Sequence, residues 1–159
     1  TYTEQEILSQ PEVWQQTIDA LDPMSFVAPF GDDITDVVVT GCGSTHYLAL
    51  STAALLRESG VRAWALPASE LIAQAEPRYV DPGGTTLLAI SRSGTTTETV
   101  MAVEHFRRIG GRSVAVVTSH PASTLASAAD VVWAAPASAE RSVAQTRSFT
   151  SMTRTPQAS

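Results

Sequence analysis

Thr86-Leu87-Leu88-Ala89-Ile90-Ser91-Arg92-Ser93-Gly94-Thr95-Thr96-Thr97-Glu98-Thr99 is the stretch on which the fold turns. Its first five residues form a short run with no polar break after Thr86, the pattern of a strand buried on both faces. A turn with one glycine follows. A helical stretch then runs from about Thr96 to Ile109 and is closed by Gly110-Gly111, the usual stop for a helix. A strand buried on both faces and followed at once by a helix is half of a βαβ unit, so further strands are expected on either side.

They are found in both directions. Upstream, Val37-Val38-Val39-Thr40 reads as a strand, Gly41-Cys42-Gly43-Ser44 as a turn, and about 45–59 as a helix ended by Gly60. Arg62-Ala63-Trp64-Ala65-Leu66 reads as a second strand. Ser69 is placed to cap a short helix from Glu70, and Asp81-Pro82-Gly83-Gly84 is a turn cluster. Downstream, Ser113-Val114-Ala115-Val116-Val117 and Val131-Val132-Trp133-Ala134 are strands, with a short helix between them at 121–128. A loop holding Glu140 leads to a last helical segment from about Ser142. Five apolar strands alternating with helices predict an α/β fold. Its sheet is five-stranded and parallel, with right-handed crossovers and helices on both faces. Ahead of it, residues 1–35 read as a helical leader packed outside the unit. Thr3 and Glu6 have capping-box spacing, Pro11 divides the leader into two short helices, and Asp22-Pro23 ends it. The domain proper is expected over 36–152. In the tail, 153–159, the apolar period fails and Pro156 would break a helix. The chain is expected to stop there where a longer protein continues.

Composition narrows the function. The net charge of −6 disfavours nucleic acid, whose phosphates need clustered Lys and Arg. No apolar run reaches membrane-spanning length, and the acidic start does not resemble a secretion signal. The lone Cys42 allows no internal disulfide and favours a cytoplasmic setting. His105 and His120 stand apart, with no metal-ligand spacing, so no metal is expected.

Ligands of open parallel sheets bind beyond the carboxyl ends of the strands, and three loops fall there. Residues 91–99 carry six hydroxyl side chains, where one would suffice for a cap. Gly94 lets the backbone approach a ligand, and the helix start offers free N–H groups and a positive dipole end. That donor set suits a phosphate monoester. The second loop, Gly41-Cys42-Gly43-Ser44-Thr45-His46, has two glycines of a dinucleotide fingerprint but His46 in place of the third. Ala65-Leu66-Pro67 ends the next strand with no acid to hold a ribose, so a nucleotide cofactor is disfavoured and a small ligand fits better. The third loop holds Glu140, which reads either as a base facing the crevice or as a favourable charge near a helix start.

Together these loops resemble the sugar isomerase (SIS) domain, in the form found in glucosamine-6-phosphate synthases and, more distantly, in tagatose-6-phosphate ketose/aldose isomerase-type proteins. The likeness rests on Cys42-Gly43-Ser44-Thr45, on the whole of residues 91–99, and on residues 140–149 with Glu140, Val143, Ala144 and Phe149. It implies a flavodoxin-like three-layer sandwich. It further implies that Ser44, Thr45, Ser91, Arg92, Ser93, Gly94 and Thr96 hold the phosphate of a phosphorylated sugar or amino sugar. Gly43, Val143 and Ala144 would line the sugar, and Glu140 is the one local candidate for a catalytic base. No cofactor is implied. Gln145 departs from the family pattern, which has Ser or Thr there, and this bears on the choice of sugar. Such relatives carry two SIS domains, so this chain would be the first of a pair. It would form part of an isomerase, aminotransferase or deaminase whose catalytic second half is not in this sequence, serve as a sensing module without catalysis, or stand as a truncated, inactive fragment. A homo-oligomer is expected.

Overall fold

The computed structural model describes residues 1–20, 36–73, 81–142 and 145–154. Two leader helices, α1 (Tyr2–Leu8) and α2 (Gln10–Ala20), come first. The domain follows as β1 (Asp36–Gly41), α3 (Ser44–Glu58), β2 (Arg62–Pro67), α4 (Ala68–Ala73), β3 (Thr85–Ile90), α5 (Thr97–Arg108), β4 (Ser113–Thr118), α6 (Thr124–Ser127), β5 (Val131–Ala134) and α7 (Arg147–Arg154). All neighbouring strands are parallel, in the order β2-β1-β3-β4-β5.

Strand alternation sorts the apolar side chains into two cores. Val37, Val39, Leu88, Ile90, Ala115 and Val117 face one side, where Leu48, Ala49 and Ala53 of α3 and Met152 of α7 cover them. Val38, Leu87, Ala89, Val114 and Val116 face the other, under Leu71 of α4, Ala102, Val103 and Phe106 of α5, and Leu125 of α6. The result is the expected three-layer sandwich. Burying Phe106 alone, 1% exposed, stabilises it by about 1.5–3 kcal/mol.

The chain runs from β1 outward to β2, then crosses back to β3 on the other side of β1. Strands β1 and β3 are therefore neighbours whose following helices lie on opposite faces, which opens a crevice between their carboxyl ends.

Some boundaries differ from the sequence reading. Thr1, not Thr3, caps α1, accepting from the Glu4 N–H at 3.3 Å. Glu6 is drawn away from the capping box by partners far along the chain. The last helix starts at Arg147 rather than near Ser142, because the Glu140 carboxylate captures the N–H groups of Thr146, Arg147 and Ser148. Arg107 pairs with Asp130 at 2.7 Å and ties α5 to the start of β5. The leader packs on α7, where the Trp14 indole donates to the Thr150 hydroxyl at 2.7 Å. Asp22-Pro23, Val143, Ala144 and Pro156 lie outside the described residues.

Candidate functional site

The register pairs Gly41 of β1 with Ile90 of β3, so the two glycine-bearing loops leave the sheet side by side. Both helices that follow begin without a side-chain cap: Gly43 precedes α3, and the Thr96 hydroxyl does not close α5. Two sets of free helix N–H groups and two positive dipole ends thus stand at one crevice.

The loop after β3 is held from below. The Arg92 carbonyl accepts from the Thr118 hydroxyl and the Ser119 N–H, both at 3.1 Å, and the Leu125 N–H donates to the Gly94 carbonyl at 2.9 Å. Gly94 takes a φ of 63°, and a Cβ there would stand 2.0 Å from the Ser123 hydroxyl oxygen. Glycine is thus required on both backbone and packing grounds. Above this base three hydroxyls converge. Thr96 Oγ1 lies 3.4 Å from Ser91 Oγ and 3.5 Å from Ser93 Oγ. These distances are long for O–H···O hydrogen bonds, so the hydroxyls hold one another only weakly. Ser91 is buried and its oxygen also accepts the Gly94 N–H, while Ser93 Oγ accepts the Thr95 N–H. A tetrahedral anion could accept hydrogen bonds from these hydroxyls at little cost.

In the β1 loop, Ser44 opens α3 half-exposed, but Thr45 is buried. Its hydroxyl accepts from the Cys42 N–H at 3.0 Å and donates to the Cys42 carbonyl at 2.9 Å. It fits because Gly41 has no side chain: a Cβ there would lie 2.7 Å from Thr45. Thr45 therefore sets the turn, and Ser44 and Gly43 present it. Burial, with the Glu98 carboxylate beside it, pushes the Cys42 thiol above its ordinary range, which makes it a poor nucleophile.

Glu140 stands at the start of α7. Its Oε1 accepts from the Thr146 N–H at 2.8 Å, the Thr146 hydroxyl at 2.6 Å and the Arg147 N–H at 2.9 Å. Its Oε2 accepts from the Ser148 N–H at 3.2 Å and from the Ser148 hydroxyl. Burial acts to raise its pKa, but hydrogen bonds from Ser148 and Thr146 outweigh this and hold it below the ordinary glutamate value. Arg92 reaches the same region, donating from Nη1 to the Ser142 carbonyl at 3.2 Å. Glu6 of α1 meets Ser142 from the other side, accepting from its N–H at 3.4 Å and from its hydroxyl.

Sequence reasoning missed Glu6, Thr118, Ser119 and Ser123. The last three could have been found, since they are hydroxyl residues at and just past the carboxyl end of a strand. The only local signal at Glu6 was its capping-box spacing, which misled, because the partners of its carboxylate lie more than 130 residues away. Among the described residues no cluster of His, Cys, Asp and Glu could hold a metal. Nor is any helix among them long and apolar enough to cross a membrane.

A family model described as SIS domain matches residues 33–157. The glutamine–fructose-6-phosphate aminotransferase (isomerizing) of Zymomonas mobilis is 32% identical over 160 residues, covering 94% of this chain and 25% of that protein. The chain thus spans about a quarter of the length of the curated relatives it matches. Tagatose-6-phosphate ketose/aldose isomerase from Escherichia coli superposes with a TM-score of 0.83 and 26% identity, covering 98% of this chain and 46% of that one. The C-terminal domain of glucosamine-fructose-6-phosphate aminotransferase from Francisella tularensis shares the fold. Its TM-score is 0.86 at 22% identity, over 99% of this chain and 46% of that one.

Proposed function

The chain belongs to the SIS domain family, and from that premise we propose that it binds a phosphorylated sugar or amino sugar with the phosphate at the start of α5. One observation carries the reading: three hydroxyls, Ser91, Ser93 and Thr96, joined only by long, weak hydrogen bonds, converge at a helix N-terminus that no side chain caps. Helix N–H groups and dipole neutralise the phosphate without a basic residue, which an acidic chain needs. Gly94 and the Arg92 backbone form the floor. Gly43 and Ser44 close the cradle from the β1 side, and Thr45 shapes the turn that presents them. Val143 and Ala144, next to Ser142, are assigned to the sugar.

In this reading the chain supplies the binding half of an aldose–ketose isomerase, aminotransferase or deaminase. Such chemistry moves a proton next to a carbonyl and needs a base able to accept it. Glu140 is the local carboxylate, yet its oxygens are occupied and its basicity is lowered. We assign it to holding the α7 start in place, so that a second reading, binding without turnover by this chain alone, is favoured. We place the protein in the cytoplasm as a homo-oligomer, in keeping with Tyr47 and Leu50, which stand exposed on one side of α3.

Calorimetric titration with fructose 6-phosphate, glucosamine 6-phosphate and tagatose 6-phosphate tests the reading, with isomerisation assayed on the same sample. At least one ligand should bind, and Ser93→Ala should weaken it by about 1.5–3 kcal/mol, as for a hydrogen bond to a charged group. No turnover is expected. Turnover would return Glu140 to the role of base, and a folded chain that binds none of the three would overturn the phosphate assignment.

A further inference from the structure

Glu6 of α1 is 4% exposed, and its carboxylate is hydrogen-bonded to two residues far along the chain. Its Oε1 accepts from the Arg141 N–H at 2.6 Å and the Ser142 N–H at 3.4 Å, and its Oε2 accepts from the Ser142 hydroxyl. The Ser142 carbonyl accepts from Arg92 in the phosphate loop. Ser142 is therefore held on both sides, by the leader through its N–H and hydroxyl and by the phosphate loop through its carbonyl. Two further contacts bring the leader to the same stretch. The Arg141 guanidinium lies 4.7 Å over the Tyr2 ring and donates to the Tyr2 hydroxyl, and Arg147 donates to the Ser9 hydroxyl at 3.1 Å.

A buried carboxylate is a costly way to join a helix to a loop. If packing were all that mattered, an apolar side chain would serve at lower cost. What the carboxylate adds is direction: it aims two successive backbone N–H groups and one hydroxyl, which fixes where the loop after β5 runs. That loop passes beside the phosphate cradle, at the distance of one arginine side chain.

We propose that Glu6 is a positioning residue for the ligand, and that through Ser142 it holds the loop after β5 against the phosphate loop, where that loop borders whatever extends from the phosphate. The inference rests on the phosphosugar reading above. Under it Glu6 serves the sugar portion of the ligand and leaves the phosphate portion alone, a division that a role in general stability would not produce.

The test titrates the full chain with fructose 6-phosphate and, separately, with inorganic phosphate. The parent should bind both. Glu6→Gln keeps the shape but loses the acceptor facing the Ser142 hydroxyl. It should lower fructose 6-phosphate affinity roughly five- to tenfold, the scale of one buried hydrogen bond, with inorganic phosphate affinity unchanged. Ser142→Ala cuts the same contact from the other end with the leader intact. It should give the same split, and it stands as the test should Glu6→Gln fail to melt cooperatively. Equal loss of both ligands, or no loss of either, would overturn the proposal. A parent that binds neither would instead bring down the phosphate reading on which it rests.

Discussion

Gly94 and Gly43 take nearly the same φ, 63° and 61°, in opposite surroundings. A Cβ at Gly43 meets nothing within 4 Å, whereas one at Gly94 runs into Ser123. Gly43→Ala should therefore cost only the backbone strain, about 1–3 kcal/mol. Gly94→Ala should add the penalty of a crowded site, about 1–3 kcal/mol more. Urea melts of the two variants check this; equal costs would mean that Ser123 yields freely. That these hydroxyls and Gly94 gather in the turn between β3 and α5 was legible, because a strand that runs straight into a helix leaves them one turn to share. The inward turn of Thr45 was not legible, since it depends on the space left by Gly41, and spacing alone does not say which way a side chain points.

At the scale of the element, α7 depends on Glu140. The carboxylate takes the place of an N-cap at a helix that begins Arg147-Ser148-Phe149. Glu140→Gln should destabilise the chain by about 1 kcal/mol, the usual value of a cap. The sign of its pH dependence follows from the lowered pKa. A depressed folded value adds stability that is complete above the unfolded glutamate value, about 4.3, and fades as pH falls through the folded value. The gap between parent and Glu140→Gln should therefore be widest at neutral pH and close on acidification, as read from urea midpoints across the acid range. A constant gap would mean that charge plays no part in the cap. Helix existence was legible from apolar period and glycine stops. The start of α7 was not, because the group that sets it is a side chain several residues upstream rather than a residue of capping type at the boundary.

Over the whole molecule, the fold follows from five apolar runs separated by helical stretches, and right-handed crossovers leave few arrangements for them. The runs did not reveal the strand order that makes β1 and β3 neighbours, yet that order puts both glycine loops at one crevice. The leader was legible as two helices, but its attachment was not, since Trp14 and Glu6 find partners at the far end of the chain. The proposed phosphate at the start of α5 is a matter of place more than of affinity. The most direct test is therefore an amide spectrum of the isotopically labelled chain, recorded while fructose 6-phosphate is added. The largest shifts should fall on the amides of Ser93, Gly94, Thr95, Thr96 and Thr97, with smaller ones at Gly43 and Ser44, and Ser93→Ala should suppress them. Saturable shifts centred elsewhere, with these amides unmoved, would contradict that placement.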